Sequence, residues 1–188
     1  MPWMTSRSTP AESAAGVIVG VGADSFSTSD DVLGIRVPLA SAIADAAAAR
    51  RDYLDETGGR YVHVIANGRI ETSGAIARAL ACGADAVQLG EPLRIAAEAP
   101  GGGVWWDSVA AHPRLPRGGT SAPVAPVGTL QQVLLGPAET ADGRTNLFGA
   151  LARTMAKTGY RDLKEFQRVD LVIGGATASD YTAEMSAG

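Results

Sequence analysis

Three loops in this sequence combine glycine with polar or charged residues, and each follows a short apolar run. They cover residues 20–29, 66–70 and 89–92. The backbone N–H groups of glycine-rich turns at helix N termini are unpaired and lie at the positive end of the helix dipole, so they suit phosphate. In parallel α/β folds, ligands bind where strands end and helices begin. The loops are therefore candidates for a site that binds a phosphate-bearing ligand.

The elements that would position these loops follow from hydrophobic periodicity. The predicted strands, which are apolar runs, cover 15–20, 61–66 and 85–90. The first of them has the unbroken apolar character of a buried strand. The predicted helices run from Pro38 to Gly58, from a cap at Thr72 or Ser73 to Leu80, and over 92–99. Strands that alternate with helices of this length predict an α/β fold with a parallel sheet.

The rest of the chain divides into segments with different expectations. Residues 1–13 offer nothing to bury, which predicts a disordered N-terminal segment. Residues 100–145 are rich in glycine and proline with little periodicity, which is typical of a functional flap, a lid or disorder. Segment 146–175 is predicted to hold a helix that ends at Gly159, a short helix with an Asp162–Glu165 capping box and a brief strand at 169–173. Residues 176–188 are expected to form a loose tail.

Composition narrows the class of function. The chain has 188 residues, enough for one domain with a sizeable core. Its formal net charge of −4 disfavours general nucleic-acid binding. No run approaches the roughly 18 apolar residues that span a bilayer, and the first residues do not resemble a signal peptide, so we expect no membrane partner and a cytoplasmic location. The single cysteine, Cys82, fits a reducing compartment and is expected to be a small buried residue.

Longer runs give a more specific signal than any single loop. They are TSDDVLGI at 28–35, YLDETGGRYVHV at 53–64 and MAKTGYRDLKEF at 155–166. With the framework at 15–99 and 146–175, they resemble the C-terminal part of the IMP dehydrogenase / GMP reductase family. Within this family, these runs most resemble those of the actinobacterial IMP-dehydrogenase-like proteins. The resemblance implies a part of a (β/α)₈ barrel, about its last three strand–helix units, followed by a long flap and a C-terminal helix.

A barrel of this kind cannot close with so few strands. The strand at 15–20 would lose its neighbour and expose unpaired backbone groups and apolar side chains. The chain is therefore expected to be a fragment, to form a homo-oligomer, or to receive the missing part of the barrel from a partner.

The first loop carries the chemistry that the resemblance implies. In the family it supplies a cysteine thiolate that attacks the purine while NAD accepts hydride, and its carbonyls bind a monovalent cation such as potassium. Ser27 stands at the nucleophile position, with Ser29 as a second candidate catalytic residue and Ser25 as a nucleotide ligand. The cation positions are Gly22, Asp24 and Ser27. A serine hydroxyl is a far poorer nucleophile than a thiolate unless a base takes its proton. This predicts impaired catalysis, and the alternative for the segment is a Ser/Thr turn that caps the loop.

The other two loops correspond to the family's ribose and phosphate contacts. Asn67, Gly68 and Arg69 stand where the family has an aspartate followed by glycine. Asn67 can still bind hydroxyls without the charge, and Arg69 either clamps an anion or is a solvated surface residue. Gly90 is at a phosphate-binding position, and Glu91 repels phosphate unless Arg69 or Arg94 neutralises it.

The flap position is weaker evidence. Trp105, Trp106 and Arg114 lie where the family has a mobile flap, and the tryptophans either stack on a purine or anchor the segment, the second being favoured. Three hypotheses follow from these observations. The chain is an NAD-linked enzyme of the IMP-to-XMP type, truncated or catalytically impaired; or it is a non-catalytic purine nucleotide or anion module; or it is a structural barrel fragment.

Overall fold

The computed structural model describes residues 14–21, 28–105 and 122–172. In chain order the elements are β1 (Gly16–Val19), α1 (Thr28–Asp31), α2 (Leu39–Glu56), β2 (His63–Ala66), α3 (Ser73–Ala81), β3 (Ala86–Val87), two 3₁₀ helices (Glu91–Ile95 and Pro100–Gly103), α4 (Leu130–Leu135), α5 (Leu147–Lys157) and α6 (Leu163–Phe166).

The strands form one parallel sheet in the order β1-β2-β3. Strand β1 pairs with β2 from Gly16↔His63 to Val19↔Ala66. Strand β2 pairs with β3 through Ile65↔Ala86 and Ala66↔Val87. The prediction of an α/β fold with a parallel sheet is confirmed. Because the strands are parallel, their carboxyl ends lie at the same end of the sheet, and the loops that follow the strands begin there.

The ends of α2 and α3 lie where the capping residues predict them. Pro38 precedes the first turn of α2, and Gly58 adopts φ 67° just beyond its end. Glycine suits this left-handed conformation because it has no Cβ. Thr72 caps α3, since its side-chain oxygen accepts a hydrogen bond from the Ala75 N–H at 3.2 Å. Both helices therefore begin and end through local chemistry that the sequence contains.

The C-terminal helices follow the same rule. Gly159, with φ 86°, ends the turn after α5. Asp162 Oδ1 accepts a hydrogen bond from the Glu165 N–H at 2.8 Å and so caps α6. The predicted stop is thus present, and of the predicted Asp162–Glu165 capping box the structure shows the half in which the Asp162 side chain is the acceptor.

The core lies between the sheet and the helices. Val64 and Ala66 of β2 are fully buried. They share one cluster with buried residues of α2, α3, α4, α5 and α6, namely Ile43, Ile76, Leu80, Val133, Leu147 and Phe166. The two C-terminal helices and α4 therefore belong to the same packed unit as the strands.

Strand β1 does not have the burial that its apolar run predicts. Val17 is 40% exposed and Ile18 is 64% exposed. The prediction of a buried strand is wrong, because within the described residues β1 has a neighbouring strand on one side only. The separate prediction that this strand would lack a neighbour and expose its side chains is confirmed in the described residues.

The segment at 100–145 contains more regular structure than its composition predicts. Its described part includes a 3₁₀ helix, Pro100–Gly103, and helix α4. Thr129 forms a capping box with Gln132 at the start of α4, and Val133 is fully buried. Helix α4 is only six residues long, too short for its periodicity to stand out between glycines and prolines.

The predicted strand at 169–173 is not formed in its described part. Residues 169–172 contain no strand, and Val172 is 94% exposed. The short apolar run is compatible with a strand, but no strand among the described residues pairs with it to supply the hydrogen bonds that a strand needs. Ile173 lies outside the described residues, as do the segments 1–13 and 176–188.

Candidate functional site

The carboxyl ends of β1 and β2, where the first and second loops begin, lie in close contact. The Asn67 N–H donates a hydrogen bond to the Val19 carbonyl at 2.8 Å. A Cβ atom on Gly20 would lie 1.8 Å from the Asn67 carbonyl oxygen. Only glycine fits this approach. The first and second loops therefore start side by side, as a shared site requires.

Most of the first loop lies outside the described residues. These include the predicted cation positions Gly22 and Asp24, the predicted nucleotide ligand Ser25 and the predicted nucleophile Ser27. Ser29 lies in α1, with a half-buried side chain, and its carbonyl accepts a hydrogen bond from the Ile35 N–H at 2.8 Å. The backbone of Ser29 therefore helps to close the turn after α1.

The second loop presents Asn67, Gly68 and Arg69 directly after β2. Asn67 and Gly68 are half-buried, and Arg69 is exposed. The Ile70 N–H donates to the Gly68 carbonyl at 2.7 Å, and the Ile70 side chain is 2% exposed. This tight turn anchors the loop in the core. Arg69 makes no ion pair with any residue in the described ranges.

The third loop opens the 3₁₀ helix Glu91–Ile95, with Gly90 as its N-cap. Arg94 Nη2 lies 3.6 Å from Glu91 Oε1, and both side chains are largely buried. The expectation that Arg94 can neutralise Glu91 is consistent with this ion pair. A ligand anion at Gly90 would therefore meet a paired carboxylate rather than an isolated one.

Trp105 packs directly against the third loop. A Cβ atom on Gly90 would lie 2.3 Å from Trp105 Cη2, so glycine is needed beneath the ring. The contact favours the anchoring role for this tryptophan. Trp106 and Arg114 lie outside the described residues.

An open, mainly apolar cleft lies beside Gly90 and Trp105. Its volume is about 550 Å³, and Leu93, Val104 and Leu130 form much of its wall. This volume is within the range of small-molecule sites. The cleft was not predicted from the sequence, because Leu93 and Leu130 are separated by 37 positions and no motif connects them.

A polar cluster around Asp85 lies at the opposite end of the sheet, at the amino-terminal ends of β2 and β3. Arg50 of α2 donates to Asp85 Oδ2 at 2.5 Å, and the Val64 N–H donates to the same oxygen at 2.9 Å. Tyr61 donates to Oδ1 at 2.6 Å, and Lys164 of α6 forms an ion pair with Oδ1. We name these five residues the Asp85 cluster.

The electrostatics of the Asp85 cluster indicate a structural role. Only 8% of the Asp85 side chain is exposed. Burial raises the pKa of this carboxyl, but the hydrogen bonds from Lys164, Tyr61 and Val64 outweigh burial and hold the pKa well below its usual range. A carboxylate that stays ionised and is saturated with donors is unsuited to proton transfer near neutral pH. Sequence reasoning missed it, although one aspartate at the start of an apolar strand is a usable signal.

Cys82, the single cysteine of the chain, lies at the end of a helix. It caps the C-terminal end of α3, near the edge where the strands begin, and is partly buried. Burial raises the pKa of its thiol, more than Arg78 lowers it. The thiol is therefore protonated at neutral pH and poorly suited to act as a nucleophile.

Two further features are limited to the described ranges. In them, no group of three or more His, Cys, Asp or Glu side chains is arranged to hold a metal ion. The same ranges contain no helix with the length and apolar character needed to cross a membrane.

Comparisons with known proteins define the class of protein. The model of the IMP dehydrogenase / GMP reductase domain matches residues 7–123. An uncharacterized oxidoreductase of Mycobacterium leprae is 62% identical over 162 residues, which is 85% of this chain and 43% of the relative. One from Mycolicibacterium smegmatis is 61% identical over 163 residues, 86% of this chain and 44% of the relative. Inosine-5'-monophosphate dehydrogenase of Haemophilus influenzae is 46% identical over 88 residues, 47% of this chain and 17% of that enzyme.

A solved structure agrees with the sequence matches. The IMP dehydrogenase/GMP reductase-like protein of Corynebacterium glutamicum superposes with a TM-score of 0.76 and 56% identity, over 86% of this chain and 42% of that one. The chain therefore belongs to the IMP dehydrogenase / GMP reductase family, and its fold is a part of a (β/α)₈ barrel. It spans less than half the length of these longer relatives.

Proposed function

We propose that this chain carries the purine nucleotide site of an oxidoreductase of the IMP dehydrogenase / GMP reductase family. The observation that carries the proposal is the contact between Gly20 and Asn67, which holds the first and second loops together. The third loop follows the adjacent strand, β3, and so lies at the same end of the sheet as the first two loops. A nucleotide such as IMP is the ligand that the family relationship suggests.

Each loop has a proposed part in binding. Asn67 accepts hydrogen bonds from the ribose hydroxyls, and Ser25 and the Gly68 N–H contact the nucleotide. Gly90 approaches the phosphate, while Arg69 supplies the positive charge that the Glu91–Arg94 pair does not. Arg69 is suited to this because its side chain is exposed and makes no ion pair in the described part of the chain.

The redox chemistry is proposed to be that of IMP oxidation to XMP. NAD, when bound, accepts the hydride, and the apolar cleft lined by Leu93, Val104 and Leu130 is large enough for its nicotinamide ring. Ser27 stands at the nucleophile position and Ser29 nearby. Ser27 lacks the thiolate that makes this step fast, so turnover is slow. The carbonyls of Gly22, Asp24 and Ser27 are proposed to hold potassium, and the protein is proposed to act in the cytoplasm.

A second candidate function is nucleotide binding without turnover. Serine at the nucleophile position and Glu91 in the phosphate loop both favour it, since each weakens a feature that catalysis needs. The two functions share the same ligand and differ only in hydride transfer.

Titration calorimetry of the 188-residue chain with IMP, XMP and GMP tests the binding proposal. We expect saturable binding at micromolar nucleotide. The absence of binding to a soluble, monodisperse chain would contradict both functions. Production of NADH from IMP, followed by absorbance, then separates the enzyme from the binding module.

The variant Ser27→Cys tests the nucleophile position. A thiol there is expected to raise the rate of NADH production at least about tenfold, because thiolate is far more nucleophilic than a neutral hydroxyl. Ser25→Cys is the matched control, since it places a thiol two positions away in the same loop. Equal rates in the two variants would contradict the assignment of Ser27.

A further inference from the structure

The loop between α4 and α5, residues 137–145, packs against the start of α3. The Gly143 carbonyl accepts a hydrogen bond from the Ser73 N–H at 2.8 Å. Ser73 is the first residue of α3, and it lies shortly after Ile70, the last residue of the second loop. The α4–α5 loop therefore contacts the chain just beyond the point where the second loop ends.

Both ends of the α4–α5 loop are fixed to one carbonyl group of α4. The N–H groups of Gly136 and Asn146 donate to the Gln132 carbonyl at 3.0 Å and 3.1 Å. Thr145 is 7% exposed, and Leu147, the first residue of α5, is fully buried. The base of the loop is thus anchored in the core of the molecule.

The tip of the α4–α5 loop is shaped by bonds within the loop. Asp142 Oδ1 accepts hydrogen bonds from the Arg144 N–H and the Thr140 hydroxyl, each at 3.0 Å. Gly143 lies inside this turn and adopts φ 74°, a conformation that glycine tolerates without strain. The turn that presents the Gly143 carbonyl to α3 therefore does not depend on α3 for its shape.

The contact between the tip and α3 is close. A Cβ atom on Gly143 would lie 3.2 Å from Ser73 Oγ and 3.4 Å from Thr72 Cβ. The first N–H groups of a helix have no partner inside the helix. In α3 the Thr72 side chain bonds one of them, that of Ala75, and the Gly143 carbonyl bonds that of Ser73. The α4–α5 loop therefore completes the N-terminal turn of α3.

The second loop depends on this contact at its end. The loop is fixed at its start by the bond from the Asn67 N–H to the Val19 carbonyl, and within it the Ile70 N–H donates to the Gly68 carbonyl. Between Ile70 and Ser73, neither backbone N–H bonds to another backbone group of the described residues. The bond from Ser73 to the α4–α5 loop is thus the next backbone contact that holds this segment.

We propose that Gly143 is a positioning residue for the second loop. Through its hydrogen bond to Ser73, the α4–α5 loop fixes the end of the segment that presents Asn67 and Arg69. The consequence for binding rests on the function proposed above, in which these two side chains contact the nucleotide. A segment that is held at both ends loses less conformational freedom when a ligand binds, so the ligand binds more tightly.

Ser73→Pro tests the hydrogen bond. Proline has no N–H, but it is favoured at the first position of a helix. Thr72 has φ −135° and ψ 159°, which is the extended conformation that a residue before proline prefers. Ser73→Ala is the matched control, because it removes the hydroxyl and retains the N–H. Both variants should keep the circular dichroism spectrum of the original chain, since Ile76 and Leu80 still anchor α3 in the core.

Hydrogen exchange observed by NMR, without nucleotide, is the first readout. In Ser73→Pro the Ile70 amide is expected to exchange at least about tenfold faster than in the original chain, and in Ser73→Ala within about twofold of it. This readout does not require that the chain binds a nucleotide.

Gly143→Ala alters the same contact from the other side. It places a Cβ atom against Ser73 and should also speed exchange at the Ile70 amide. Gly159→Ala is its matched control, because Gly159 has φ 86° and no described atom lies within 4 Å of its Cβ position. Both variants lose the freedom of glycine at positive φ, and only Gly143→Ala presses on α3. Equal acceleration in the two variants would show general destabilisation and would overturn the proposal.

Calorimetric titration with IMP is the second readout. Ser73→Pro is expected to raise the dissociation constant at least about fivefold, and Ser73→Ala to change it by no more than about twofold. If the original chain does not bind IMP, the proposed function fails, and the exchange of the Ile70 amide still decides whether Gly143 positions the second loop. Unchanged exchange in both Ser73→Pro and Gly143→Ala would overturn the proposal, as would unchanged IMP affinity in both. If Ser73→Pro does not fold, Gly143→Ala and its control decide alone.

Discussion

At the scale of single residues, Asp85 joins parts of the chain that are far apart in sequence. Its carboxylate contacts Arg50 of α2, Val64 of β2 and Lys164 of α6. The Arg50 guanidinium lies 5.0 Å from the centroid of the Tyr61 ring, and Lys164 Nζ lies 4.5 Å from the same centroid. The cluster therefore connects α2 and α6 at the amino-terminal ends of the strands, which is the end of the sheet opposite to the loops.

Removal of this carboxylate is expected to destabilise the fold. Asp85→Ala leaves the largely buried Arg50 guanidinium, only 10% exposed, without its counter-charge. Loss of one partner of a buried ion pair costs about 3–5 kcal/mol. Urea unfolding followed by circular dichroism measures this change. Asp45→Ala, at an exposed position of α2, is the control and should change the free energy of unfolding by no more than about 0.5 kcal/mol.

The same cluster predicts how stability depends on pH. The pKa of Asp85 is lowered in the folded chain, so its contribution is present above the usual carboxyl pKa of about 4 and is lost as pH falls through the folded value. Interactions with Asp85 outweigh partial burial and raise the pKa of Lys164. That contribution is present below about pH 10.5 and is lost as pH rises through the folded value.

Melting temperatures over a pH series measure both limbs. The original chain should lose stability more steeply below about pH 4 than Asp85→Asn does, because the variant has no carboxylate to protonate at this position. Parallel acid limbs in the two proteins would contradict the role assigned to Asp85.

At the scale of elements, local capping chemistry allowed α2, α3, α5 and α6 to be predicted from the sequence. What could not be predicted depends on contacts between distant segments. The burial of Val133 is one case, since α4 packs against α5 and the 3₁₀ helix after β3. The exposure of β1 is another case. An apolar run predicts a strand that is buried in a closed barrel, but it does not indicate how many strands this chain contains.

The candidate site divides in the same way. The second and third loops could be placed from the sequence because each directly follows a strand. The contact of Trp105 with Gly90 and the cleft beside it could not, since they require the fold to bring residues 90, 105 and 130 together. The positions of Ser25 and Ser27 remain predictions.

Helix α4 is expected to depend on its cap more than a longer helix would. Thr129 Oγ1 accepts a hydrogen bond from the Gln132 N–H at 3.2 Å, and Glu98 Oε2 accepts one from the Leu130 N–H at 2.7 Å. Thr129→Ala should lower the free energy of unfolding by about 1 kcal/mol. Urea unfolding measures the change. Ser41→Ala, at an exposed position in the first turn of α2, should be nearly neutral, and an equal loss in both variants would contradict a special role for the cap.

At the scale of the whole molecule, the described helices cover one face of the three-stranded sheet more fully than the other. The helices bury Val64 and Ala66 completely, whereas on the other face Ile18 is 64% exposed and Ile65 is half-buried. The loops proposed to bind the nucleotide follow the strands of this same sheet.

Hydrogen exchange provides a direct measure of the open edge. In the isolated chain, the pairing with β2 should protect the amides of Val17 and Val19, while the amide of Ile18 points away from β2 and should exchange much faster. Exchange observed by NMR at a concentration where light scattering shows a monomer resolves the three amides. Central residues of β2 provide the control, because both of their neighbours are present. Equal protection of Ile18 and Val17 in the monomer would show that another part of the chain covers this edge, and would contradict the one-sided pairing of β1 seen in the described residues.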